Sequence, residues 1–286
     1  MDTMSLLKFN SEQWMRFSDY ELRTDANGQR YIVPTEDAVG SMYVPAEHAR
    51  EIMLDAVEIG KQLTKDLPVE VVEGLILGFV RRHGVLGIMP ELPMNDNFAE
   101  VKQTSLSESW FFQAGVAPTE QYIGMFFPFN KEMAETIPGS LSIAALSGRE
   151  PVYELVFSRY YGEKVQWIAT YLYELFRCFF AYLNFDNEDD AELRANSRKI
   201  IAEFPKHKMR YGINSDARLS VHFTSLKALI DFAFTISVTN SEKPMKMCKH
   251  CNKIYYNENA RSEFCSGRCR NQWNVYKSRG NKNKGE

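Results

Sequence analysis

Apolar residues recur at three- and four-residue steps over four stretches of this chain, the spacing that lines one face of an α-helix. Ile52, Ala56, Ile59 and Leu63 form the first set, in a helix opened by Pro45. Val72, Leu75, Ile76 and Phe79 form the second. That helix should start near Asp66, with Pro68 in its first turn, and stop at a left-handed cap on Gly84. The longest signal joins Val165, Ile168, Leu172, Leu175, Phe179 and Leu183. Trp167, Tyr171, Tyr173, Phe176, Phe180 and Tyr182 carry aromatic surface onto its other faces, so most of its circumference should be covered. It is the expected centre of the body. An acidic turn at 186–190 leads into a helix ending near Phe204, and Ser225 is placed to N-cap a helix through Leu226, Leu229, Ile230 and Phe234.

Strand signals are weaker. Asp25, Ala26, Asn27 and Gly28 read as a turn before a short strand at Tyr31, Ile32 and Val33, and two more strands are expected at 209–213 and 219–223. Residues 89–97 read as a surface loop, and 98–150 as short strands mixed with loops. The run Arg81, Arg82, His83, Gly84 invites an anion-site reading. Cations in a last helical turn complement the helix dipole, so the structural reading is preferred. The predicted architecture is mainly α with minor β: a helical body over 1–240 and a small finger over 245–286.

Hydrophobic residues are 44% of the 286 and aromatics 13%, enough for a sizeable core and against wholesale disorder. The most apolar stretch, Val165–Leu183, is interrupted by Glu174 and Arg177, so no membrane span is expected. Met1, Asp2 and Thr3 do not begin a secretory signal, which points to a cytoplasmic protein. The net charge of −3 hides an asymmetry: residues 245–286 hold ten Lys or Arg and three Glu, a balance of +7. Residues 1–244 therefore hold 24 basic and 34 acidic residues, a balance of −10. A polyanion would meet the tail.

Four of the five cysteines fall in that tail, as Cys248, Cys251, Cys265 and Cys269; Cys178 stands alone in an apolar helix and reads as a core thiol. C-x2-C-x13-C-x3-C is the spacing of a zinc ligand set, with thiolates at about 2.3 Å in a tetrahedron. Cys269 should lie in the first turn of a helix over 270–279, where the positive dipole end favours thiolate. Lys253, Ile254, Tyr255 and Tyr256 are expected as one arm of a hairpin and 261–264 as the other, giving a treble-clef-like unit. Little in it is apolar beyond Ile254, Tyr255, Tyr256, Phe264 and Trp273, so Zn2+ should act as its staple, supplying about 10–16 kcal/mol of apparent binding energy. His250 lies between two ligands, but four cysteines already complete the shell.

Phe264, Cys265, Ser266 and the run Cys269, Arg270, Asn271, Gln272 resemble the end of bacterial CGNR-type zinc fingers, and also that of a small gyrase-inhibiting zinc protein. The CGNR resemblance implies a helical N-terminal domain joined to a DNA-binding finger that acts in transcription regulation. It covers about 40 residues, and Cys-Arg-Asn-Gln stands where that family has Cys-Gly-Asn-Arg.

Two functions follow. The helix after Ser266 presents Arg268, Arg270, Asn271, Gln272, Lys277 and Arg279, extended by Lys282 and Lys284. Arg and Lys neutralise phosphates, while Asn and Gln can read adenine edges, so nucleic acid, DNA above all, is the first expected partner. Trp273 and Tyr276 are expected to pack on the hairpin rather than stack on bases. Alternatively, the acidic body binds a protein partner and the finger is a docking or structural element. No enzyme is expected. There is no phosphate loop, nucleophile elbow or His-Glu-x-x-His, and none of His48, His83, His207 and His222 has the Glu two residues on that a zinc deaminase needs.

Overall fold

In a computed structural model the described residues are 13–88, 94–95, 98–101, 115–118, 124–133, 156–204, 210–213, 217, 219–223, 225–239, 245–256 and 261–282. The elements, in order, are β1 (Trp14–Phe17), β2 (Tyr20–Thr24), β3 (Arg30–Pro34), β4 (Gly40–Tyr43), α1 (Ala49–Gln62), α2 (Val69–His83), β5 (Met94–Asn95), β6 (Phe98–Val101), β7 (Gly115–Pro118) and β8 (Glu163–Lys164). There follow α3 (Val165–Leu183), α4 (Ala191–Ala202), β9 (Arg210–Ile213), β10 (Leu219–His222), α5 (Leu226–Thr239), β11 (Met245–Met247), β12 (Ile254–Tyr256) and α6 (Gly267–Lys282). The fold is mainly α, with small antiparallel sheets: β1 with β4, β2-β3-β8, β5-β6-β7, β9 with β10, and β11 with β12.

The core is built on α3, which buries Val165, Trp167, Ile168, Tyr171, Leu172, Leu175, Phe176, Cys178, Phe179 and Ala181. Tyr173 and Phe180, one repeat apart on the remaining stripe, are about two-fifths exposed at 40% and 41%. Helix α1 packs on α3 and buries Ile52, Met53, Ala56 and Gly60, with Gly60 against Leu172 and Phe176. At Gly60 an added Cβ would lie 2.0 Å from the Leu172 carbonyl oxygen, so only glycine allows this close crossing. Helix α5 completes the layer with Leu226, Leu229, Ile230, Ala233 and Phe234. It also buries an ion pair, Lys227 to Asp231 at 2.6 Å, and Asp231 accepts the Tyr171 hydroxyl at 2.9 Å. Each buried polar side chain of this trio thus has a hydrogen-bond partner inside the core.

The predicted helices are present, Ser225 caps α5 through the Ala228 amide at 3.0 Å, and Asp190 caps α4 through the Leu193 amide at 2.8 Å. Three expectations need correction. Residues 94–95 are not loop but pair with β6. The first 35 residues hold more strand than the turn signal showed, because β1 pairs with β4, a partner some 25 residues away whose sequence does not alternate. Gly84 is no left-handed cap: its φ of 87° comes with ψ of 175°, an extended conformation open to glycine that sends 85–88 into the core. The last turn of α2 is stabilised from outside, Arg16 donating to the Arg82 carbonyl at 2.6 Å and Tyr43 to that of His83 at 2.6 Å. Its polar side chains are engaged within the protein, Arg81 by Asp19 at 2.7 Å and both Arg82 and His83 by Asp55, which agrees with the structural reading of that run.

The buried segment 85–88 has its polar groups satisfied from three directions. Trp14 donates to the Val85 carbonyl at 3.0 Å, the Lys227 amide to that of Leu86 at 3.0 Å, and Glu163, fully buried, accepts the Leu86 and Ile88 amides at 2.7 Å each. Burial pushes the Glu163 carboxyl up to about 7, against the opposing effect of those amides. Among the described residues no helix is long and apolar enough to cross a membrane.

Candidate metal centre

Strands β11 and β12 form a hairpin whose turn is the first CxxC pair. Met247 stands opposite Ile254, and the Cys248 amide donates to the Lys253 carbonyl at 2.9 Å. Asn252 closes the turn, its amide on the Cys248 carbonyl at 2.9 Å and its φ at 57°. Asn is among the few residues that take this left-handed region at low cost. The second pair sits at the start of α6. Ser266 caps the helix, its hydroxyl accepting the Cys269 amide at 3.2 Å and its carbonyl the Arg270 amide at 3.1 Å, so Cys269 occupies the first turn as expected.

These two pieces bring the four sulfur atoms of Cys248, Cys251, Cys265 and Cys269 within 4.8 Å of one another. Cys251 and Cys265 lie 3.6 Å apart, Cys265 and Cys269 3.5 Å. A tetrahedral ion with metal–sulfur bonds of about 2.3 Å requires sulfurs about 3.8 Å apart, so the set fits one metal ion. Cys178, buried on α3, is not part of it. Burial opposes charge on Cys248, but the backbone amides of Cys251, Cys265 and His250 outweigh it and bring that thiol down to about 6. Burial, with hydrogen bonds among the thiols, pushes Cys265 up to about 12. Metal ligation takes thiolates, so a cation binding at this cluster would compete with protons and be favoured as pH rises.

The hairpin departs from expectation in its partner. Residues 261–264 form no strand; β12 pairs with β11. Segment 261–264 instead lies alongside and offers its carbonyls, that of Glu263 to the Lys249 amide at 3.1 Å and that of Ser262 to the Tyr255 hydroxyl at 3.3 Å. The finger is also docked on the body. Met245 and Ile254 are buried in the main core, Lys61 donates to the Asn252 carbonyl at 2.7 Å, and Glu58 accepts the Ile254 amide at 3.3 Å. Tyr256 bonds Ser237 through its hydroxyl and carries the Arg50 guanidinium 5.1 Å over its ring.

Of the expected nucleic-acid contacts, Arg268, Arg270, Asn271 and Lys277 are exposed along α6. Gln272 is not available: it is half-buried and bonded to His250 Nε2 at 3.0 Å. Arg279 lies in α6 with its side chain outside the described residues, as does that of Lys282, and Lys284 is outside them entirely. Tyr276 stacks on His250 with centroids 5.7 Å apart, and Trp273 meets Phe264 at 6.2 Å, so both aromatics pack on the finger. Asn274, exposed one turn beyond Arg270, is a polar group the sequence reading missed. The signal was available, since Gln272 falls three residues after Cys269 and so on the metal side, whereas Asn274 does not.

Fold and site together define a mainly α protein with minor β and a four-cysteine cluster at metal-binding distance near its C-terminus. No protein-family model matches this chain, and no curated protein or solved structure matches it either.

Proposed function

We propose that the chain is a zinc protein that binds DNA through residues 245–286 in a regulatory role. The observation that carries this reading is the placement of the four sulfurs at the head of a helix without a single acidic side chain, while Arg268, Arg270, Asn271 and Lys277 stand exposed along it. Zinc suits four thiolates at tetrahedral spacing, and a reducing, cytoplasmic compartment suits thiols kept free for metal. Four protein ligands leave no open position for substrate or water, so the metal here holds structure and the protein is read as a non-enzyme. The finger's surplus of +7 on a body of −10 orients a polyanion toward α6.

A titration of zinc-loaded protein with DNA at several salt concentrations tests this. Affinity should fall linearly in log–log form, with a slope that shrinks by about one for each phosphate-contacting cation removed. Absence of binding at low salt overturns the reading. A second function is favoured by the seam of buried Met245 and Ile254 with partly buried Tyr256: the finger as a structural element of a body that binds a protein partner. Co-purification of a protein and no nucleic acid with the intact chain would support that one.

A further inference from the structure

Helix α6 has two unlike sides. Residues advance by about 100° each around a helix, so Cys269, Gln272, Trp273 and Tyr276 share one side. The structure sets each of them against the finger: Cys269 in the sulfur cluster, Gln272 and Tyr276 on His250, Trp273 on Phe264. Arg270, Asn271, Asn274 and Lys277 occupy the remaining arc; all four are exposed, and none of their side chains enters a hydrogen bond or ion pair among the described residues. No Asp or Glu occurs between positions 264 and 285.

Resting on the nucleic-acid reading of the finger, we propose that its ligand is B-form duplex DNA. The outward side of α6 enters the major groove with Arg270, Asn271 and Asn274 at base edges and Lys277 on the phosphates, while Gln272 is a positioning residue that, through His250, fixes which way the helix faces. Three physical arguments select this ligand. Single strands are held on aromatic platforms set among the cations, whereas Trp273 and Tyr276, 37% and 60% exposed, lie on the Cys269 side of α6 against Phe264 and His250 and not among Arg270, Asn271 and Asn274. The deep, narrow major groove of A-form RNA does not admit a helix, whereas a groove about 12 Å wide matches a helix of about 10–12 Å. Asn carboxamides pair with the N6 and N7 edge of adenine, and Arg with the O6 and N7 edge of guanine.

The test measures fluorescence anisotropy of zinc-loaded full-length protein against random-sequence DNA duplexes, the same strands alone and a random-sequence RNA duplex, followed by selection of the preferred duplexes from the pool. Duplex DNA should bind at least about tenfold more tightly than either alternative. Asn274→Ala, with its zinc content verified, should lose roughly tenfold in discrimination at one base position, and Lys277→Gln should weaken all duplexes evenly. Gln272→Ala should keep its zinc yet blur preference at several positions at once. Equal or tighter binding of single strands or RNA overturns the duplex assignment while leaving a nucleic-acid finger intact. An unchanged preference in both Asn271→Ala and Asn274→Ala overturns the reading face. Failure of every nucleic acid to bind at low salt removes the underlying function as well.

Discussion

Glu163 offers a test of the core with a sign that can be worked out in advance. Its carboxyl is fully buried and accepts the Leu86 and Ile88 amides at 2.7 Å, yet burial outweighs those bonds and pushes it from 4.5 up to about 7. Between these two values the folded chain binds a proton that the unfolded chain has lost, so stability from this group is complete below about 4.5 and falls as pH rises to about 7. The raised value corresponds to a loss on the order of 3 kcal/mol across that window. Glu163→Gln isolates it. The amide keeps one acceptor oxygen but turns a donor toward the second backbone amide, an unmet bond costing about 1–3 kcal/mol. At pH 5 the wild type should therefore be the more stable by that amount. By pH 8 its own ionised carboxylate carries the penalty, and the gap should close or reverse. Urea denaturation of both proteins at each pH, followed by tryptophan fluorescence, gives the difference directly, and the metal site is common to both. A gap that widens with pH would refute the reasoning, because it would mean that the amides hold the carboxylate ionised.

Two further tests, each with its own control substitution, follow from the geometry. Gly60→Ala adds a Cβ 2.0 Å from the Leu172 carbonyl oxygen, so the helices must part; overpacking costs about 1–3 kcal/mol and should exceed the gain of about 1 kcal/mol in helix propensity, whereas Gly74→Ala, with nothing within 4 Å, should be neutral or stabilising in the same denaturation assay. Cys269→Ser should drop zinc from one per chain to well below stoichiometry by elemental analysis and deprotect β11 and β12 in hydrogen exchange, while Cys178→Ser leaves the zinc content unchanged.

What could be read from the sequence was whatever depends on neighbours along the chain. The apolar steps of α3 gave its bounds at Val165–Leu183, and the Ser225 cap needs only the next turn. The two CxxC-like pairs likewise announce a ligand set before any fold is known. The misses depend on partners brought from far away. Glu163 stands beside Lys164 and reads as a surface charge until the Leu86 and Ile88 amides, about 75 residues distant, close over it. Met245 and Met247 carry no strand signal in three residues; their pairing with β12 is imposed by the sulfur-bearing turn between them. Lys227 and Asp231 look like a solvated pair one helical turn apart, and only the approach of Tyr171 from α3 marks them as core.

The docking of the finger bears on both functional readings at once. A finger on a flexible tether would present its helix at any angle, leaving the body a bystander. Here Met245 and Ile254 are built into the core of the body, Lys61 holds the Asn252 carbonyl beside the second ligand of the knuckle, and Glu58 holds the first amide of β12. Asn252 keeps its left-handed turn only while the chain runs from Cys251 back into β12, so the bond from Lys61 and the convergence of the sulfurs support one another. The azimuth of α6 is then set at two points, by the cysteine cluster at its head and by the His250–Gln272 bond along its flank. An acidic body held this way limits the directions from which a polyanion can approach, and it leaves the basic, outward side of α6 as the surface such a partner would meet.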